Sequence, residues 1–351
     1  MSKSIFNFLA GLVLAISAPT ATAASSVATV PDGMISLPIL HGVTNYLSLP
    51  LTSLSVYTTT VDTVTTNTLT VDDTPAPFTS SMLVPGSPYF IRFLSGSETG
   101  RVMLITAYTS NTLTVDTTDH ISGEAVALTT TGFSVQATDT FEIFPGDTIA
   151  SVFGDGSTAN PLVLAGGADP TSADVVTLYT TTSLPPLNFY FNNSTGHWQL
   201  SGSTVNANST IIFPYSAITV LRQSINPDTA LVLTGRVTQV APTTKLVSGG
   251  SVITSTHFAT DITLSQLRFT SNWVQGNSVF AADTIGIWNS GLGRFDTFYQ
   301  TPDSTWRKFP DTATDQSNVI IPAGAFATIA KKAHVAGAAT FLESTLPYSL
   351  D

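Results

Sequence analysis

The segment from Ala173 to Arg222 recurs from Ala282 to Lys331, so the chain must take a fold that can stand beside a copy of itself. ADVVTLY from Ala173 matches ADTIGIW from Ala282, NFYF from Asn188 matches TFYQ from Thr297, and TIIFP ending at Pro214 matches VIIP ending at Pro322. Asp174 and Asp283, Tyr190 and Tyr299, and Arg222 and Lys331 stand 109 residues apart, while Trp198 and Trp306, and Pro214 and Pro322, stand 108 apart. A drift of one residue over five landmarks is too little for shared composition to produce. ALVLTGRV from Ala230 and ATFLESTL from Ala339 extend the match downstream.

The repeated unit reads as β-structure. Runs such as NYLSLPL (Asn45 to Leu51), YFIRFL (Tyr89 to Leu94), RVMLITAY (Arg101 to Tyr108) and DTFEIFP (Asp139 to Pro145) are strand-sized and bounded by Gly, Pro, Asn and Asp. Roughly one residue in six is Thr, which is β-branched and packs well on a pleated, half-exposed surface. The spacing predicts an all-β chain of duplicated β-sandwich-like modules.

Upstream, HFATDITLSQLRF (His257 to Phe269) is matched in kind to NYLSLPLTSLSVY (Asn45 to Tyr57), which leaves the first copy interrupted. The expected organisation is therefore a leader over 1–23, the first strands of module 1 over 24–55, an inserted small β-barrel or sandwich over 56–145, the rest of module 1 over 146–250, and module 2 over 251–351. Within the insertion, NTLTVD occurs at Asn67 and again at Asn111. A short duplication and a coincidence of Thr-rich strands both fit that spacing.

Lys3, the apolar run Ile5 to Ile16 and the Ala21-Thr22-Ala23 site read as a signal peptide cleaved after Ala23. The run is too short for a spanning helix of about 20 residues. No membrane span is expected after cleavage, and the expected location is secreted or cell-surface. The absence of cysteine excludes disulfides, Cys-ligated zinc and thiol catalysis, and points to a bacterial product. A net charge of -11 with only 12 Lys and Arg argues against nucleic acid as a partner.

Catalytic signatures are missing. There is no G-x-S-x-G elbow, P-loop or G-x-G-x-x-G, and His41, His120, His197, His257 and His334 lack H-x-x-x-H or H-E-x-x-H spacing. No cofactor and no enzyme activity are expected. Two speculative sites remain. Tyr190, Trp198, Tyr299 and Trp306 sit on hairpins whose rings either pack in a core or form an exposed platform for polysaccharide. Asp147 and Asp155, the latter in a Gly-Asp-Gly loop, are candidate calcium ligands, although no EF-hand spacing is present. Asp72-Asp73 and Asp311 with Asp315 are further acidic clusters; paired carboxylates of a glycosidase are the remoter alternative.

The early NYLSLPL strand, SGSETGRVMLIT, NTLTVD, DTFEIFP and the paired Asp, aromatic-Tyr, Trp and Ile-Pro series resemble an uncharacterised family of secreted β-rich proteins known chiefly from Verrucomicrobia. The resemblance covers nearly the whole mature chain, implies secretion and paired modules, and carries no activity to any residue. The first copy departs from the pattern at Leu184-Pro185-Pro186 and in a longer turn before Trp198. The expected function is that of a non-enzymatic cell-surface or extracellular structural protein, self-associating or bound to other surface proteins. A carbohydrate-binding or adhesive module is the alternative.

Overall fold

The computed structural model describes residues 32–347 except 121, 122, 124, 131–133, 180–184, 247, 248, 256, 270, 271, 333–339 and 345, all within one compact unit, Pro31–Asp351. The leader, His334, Leu184 and the start of ATFLESTL lie outside the described residues. Apart from one five-residue helix and one 3-10 turn, the described regular structure is strand, and the chain is all-β. Among the described residues no helix is long and apolar enough to cross a membrane.

The strands form where apolar residues recur every second position, because successive side chains point to opposite faces. Asp32–Ile39 turns Ile35, Leu37 and Ile39 inward and leaves Met34, Ser36 and Pro38 outside. Leu113 and Val115 are likewise buried between outward-facing threonines of Thr112–Val115.

Two five-stranded antiparallel sheets share one strand order. The first runs His197–Leu200, Leu187–Asn192, Val175–Leu178, Ala217–Leu221, Thr44–Ser48. The second runs Trp306–Lys308, Arg294–Gln300, Thr284–Asn289, Phe326–Ala330, Ser251–Ser255. Their smaller sheets correspond as well. Asp32–Ile39 pairs with Thr229–Arg236 in the first copy and Thr243–Leu246 pairs with Thr340–Ser344 in the second. Asp147–Thr148 pairs with Ile211–Ile212, and Ile262–Thr263 with Ile320–Ile321. Each copy closes its own apolar core between the large and the small sheet, one around Trp198 and one around Trp306.

These pairings correct the upstream match. Thr44–Ser48 is equivalent to Ser251–Ser255, and the stretch from Ile262 corresponds to that from Asp147, where the helix Ile149–Phe153 stands opposite the 3-10 turn Leu264–Gln266. The two short runs resemble each other only in interspersed Leu, Ser and Thr, a similarity of composition that does not reflect equivalent strands. In the second copy only six residues separate Ser255 from Ile262. In the first, a seven-stranded sheet with its own core lies between Ser48 and Asp147, and all its strands come from Tyr57 to Pro145. The two NTLTVD strings pair with each other there, Leu69 opposite Leu113, with Val71 N–H donating to Asn111 O (2.9 Å) and Val115 N–H to Asn67 O (3.0 Å). Their hairpin turns also match, since Thr65 Oγ1 and Thr109 Oγ1 each accept from the backbone three residues on (3.2 Å both).

Candidate functional site

The four rings proposed as a platform are buried. Tyr190 is 7% exposed, Trp198 0%, Tyr299 1% and Trp306 1%, so none offers a face to solvent. Trp198 packs against Phe153 and Phe191, and its indole N–H donates to Gly154 O at 2.7 Å. Trp306 packs against Phe269 and Trp273. Equivalent polar side chains hold both tryptophan backbones: Trp198 N–H donates to Asn208 Oδ1 (2.9 Å) and Trp306 N–H to Ser317 Oγ (3.3 Å).

The repeated Asp and the repeated cation are one device. Asp174, fully buried, accepts from Arg222 Nη1 (2.6 Å), Ala165 N–H (2.8 Å), Gln223 N–H (2.9 Å) and Asn226 Nδ2 (2.9 Å). Asp283, also fully buried, accepts from Lys331 Nζ (2.6 Å), Val274 N–H (2.7 Å) and Lys332 N–H (2.6 Å). Each carboxylate thus closes a loop onto the first strand of its hairpin and ties it to the far end of the repeat. Both carboxylates accept backbone N–H groups as well as the cation. The sequence signal of this ion pair is that aspartate and cation recur at the same 109-residue spacing.

The acidic clusters make turns. Asp155 Oδ1 accepts from Ser157 N–H (2.9 Å), and the Ser157 bonds hold its carboxyl below the usual range. Asp147 lies instead before the helix, where burial pushes its carboxyl up and Ser151 Oγ donates to it at 3.2 Å. Gly154 is the helix C-cap at φ +88°, and a Cβ there would sit 2.1 Å from Pro161 O, so the Gly-Asp-Gly loop is explained by chain geometry. Asp73 accepts from Tyr57 Oη and Thr59 Oγ1 (2.6 Å each), and Asp311 and Asp315 accept from backbone N–H groups two residues on. Among the described residues no three His, Asp or Glu converge as a cation site.

Where the inserted sheet meets the first copy, Glu142 is held between two arginines, Arg92 (2.6 Å) and Arg236 (2.5 Å), all three buried. Arg92 Nη1 also donates to Tyr215 Oη at 2.5 Å. The Tyr215 ring stands 5.3 Å from His257 of the second copy, which is fully buried at φ +65°. Burial pushes the His257 imidazole down to about 3, with His120 of the inserted sheet lowering it further and Asp119 opposing. Elsewhere the two large sheets meet through Tyr46, 3.8 Å from Trp288 and 5.1 Å from Phe326 between ring centroids.

An open recess of about 400 Å³ is lined mainly by polar side chains. It lies on the second copy between the turn containing Asn277 and the loop Thr301 to Thr305, with Tyr299, Asp303 and Arg307 lining it. Of its lining, the sequence singles out Tyr299 alone; Asp303 and Arg307 carry no motif spacing and come to one recess only through the fold of the hairpin. No family model, curated protein or solved structure matches the chain.

Proposed function

We propose that this is a non-enzymatic structural protein of the cell surface or extracellular space, a rigid β unit within a larger assembly. The observation that carries this reading is where the buried charges are. Asp174–Arg222, Asp283–Lys331 and Arg92–Glu142–Arg236 each join segments distant in sequence, and the last joins the inserted sheet to the first copy. Taking such charges out of water costs several kcal/mol per ion, and their best-attested use is to fix one arrangement of the chain. Groups held in this way are unsuited to acid–base chemistry, since each already has its partner. Assembly is supported by the small sheet of the first copy, in which Asp32–Ile39 and Thr229–Arg236 have only each other as full-length neighbours and expose Met34 (74%) and Val232 (56%). An unpaired apolar edge of this kind is a template for pairing with another chain. Sedimentation of the purified protein over a hundredfold concentration range tests the assembly: concentration-dependent oligomers that Met34→Lys with Val232→Lys disperses are expected. A monomer at every concentration would overturn it.

A further inference from the structure

The geometry points to a carbohydrate-binding site in the recess of the second copy, with Phe280 and Phe309 as the stacking surface and Tyr299, Asp303 and Arg307 as the polar contacts. This goes beyond the structural reading, and does not rest on it.

The first copy shows how the recess arises. There the equivalent place is closed from within. Asn193 N–H donates to Gly167 O (3.0 Å), Asn192 Nδ2 donates to Ala168 O (3.3 Å) and to Gln199 Oε1 (3.1 Å), and Tyr190 Oη donates to the same Gln199 oxygen at 3.1 Å. Register makes the equivalences secure: Tyr190 faces Gln199 across its hairpin as Tyr299 faces Arg307. In the second copy Pro302 stands where Asn193 does and has no N–H to give, Thr301 is too short to replace Asn192, and Arg307 replaces Gln199. The Arg307 guanidinium is drawn outward to Ala313 O at 2.8 Å. Tyr299, although only 1% exposed, therefore lines the recess with a hydroxyl that has no hydrogen-bond partner among the described residues. Tyr299 Oη is not among the buried atoms left without a partner, so it is open to water or a ligand in the recess.

The residues flanking the recess in sequence have also changed. Phe280 stands where the first copy has Thr171, three residues after the lining residue Asn277, and Phe309 stands where it has Ser201, two residues after the lining residue Arg307 and with its N–H donating to Thr297 O (2.9 Å), so both flank the recess in the chain. The two rings meet edge to face at 6.3 Å yet remain 79% and 47% exposed. Large apolar side chains are not left out in this way by core packing. The loop that presents Asp303 is ordered by its own bonds: Thr301 N–H donates to Thr305 O (2.9 Å) and Thr301 Oγ1 to Asp303 Oδ1 (2.5 Å), which with Thr305 keeps the carboxyl below its ordinary range.

The chemistry of the lining selects the ligand class. A carboxylate accepts only, a guanidinium donates only, and a phenol does both. Asp303 opposes an anionic ligand and Arg307 a cationic one. What remains is a neutral molecule with many groups that both donate and accept, and with an apolar face for an aromatic ring, which describes a sugar. A recess of this size lies within the ~300–1,000 Å³ usual for small-ligand sites.

The test is affinity electrophoresis of the purified full chain through native gels containing β-glucan, xylan, mannan or soluble chitin derivatives. The wild-type protein should be retarded by at least one of them. Phe280→Ala with Phe309→Ala, both exposed and so folded as wild type by circular dichroism, should weaken that retardation more than tenfold. Tyr299→Phe should weaken it severalfold. No retardation of the wild-type protein in any gel, or wild-type retardation of either variant, would overturn the proposal.

Discussion

The two copies share a strand order, a tryptophan core and an aspartate–cation brace, yet they diverge at their ends. The first copy is opened between Ser48 and Asp147 to admit another sheet, and its hairpin turn is closed by Asn192, Asn193 and Gln199. The second is uninterrupted, and its equivalent turn is open. What was kept is what holds the unit together; what changed is at loops, where insertion costs little because closure entropy grows only slowly with loop length. The difference teaches that the copies are one structural unit put to separate uses, one to carry a further domain and one to present a surface.

The braces provide the severest way to break that comparison. Asp174→Ala and Asp283→Ala each leave a buried cation without its carboxylate, and each should lower stability by about 3–5 kcal/mol in chemical denaturation. The losses should be alike if the two sites are one device. Replacing both partners, Asp283→Ala with Lys331→Met, should recover part of the loss, because the uncompensated charge is removed along with its partner. A midpoint unchanged by Asp283→Ala would deny the brace its structural role.

A smaller effect belongs to the junction. His257 faces Tyr215 of the first copy and His120 and Asp119 of the inserted sheet, and burial holds both imidazoles below their ordinary range. The folded protein therefore resists protonation that the unfolded chain accepts at about pH 6.5. Stability is fully present above that pH and falls on acidification towards pH 3, by up to about 1.4 kcal/mol per pH unit from His257, with His120 adding to the loss in the same direction. Thermal melts between pH 7.5 and 4 should show this slope, and His257→Asn should flatten it; asparagine tolerates the left-handed backbone at this position. A slope unaltered in the variant would place the acid sensitivity elsewhere.

How far the sequence foretold these features depends on the range over which each is encoded. The all-β class was readable from local alternation, as in Asp32–Ile39, and the duplication from fixed spacing. The equivalence of Thr44–Ser48 with Ser251–Ser255 was not, because the inserted sheet breaks the spacing on one side only. The aromatic hairpins are legible in the sequence but their burial is not, since Trp198 and Trp306 alternate identically whether a strand face looks inward or outward. Burial is a property of what covers the strand, here Phe153 and Phe269 from segments far along the chain. The recess escaped for a similar reason. Arg307 becomes informative only beside Gln199, and that pairing requires hairpin register.

The finest distinction between the copies rests on one oxygen. Tyr190 Oη donates to Gln199, whereas Tyr299 Oη has no partner among the described residues. Tyr190→Phe removes a made bond and leaves Gln199 without that donor, so it should cost roughly 0.5–1.5 kcal/mol. Tyr299→Phe removes a hydroxyl that stabilises nothing inside the fold, and should change the denaturation midpoint by much less, or raise it slightly. Both variants keep the ring, so packing is held constant and the difference between them isolates the hydroxyl. Equal losses at the two positions would mean that Tyr299 is satisfied internally after all, and that the second hairpin differs from the first in sequence without differing in use.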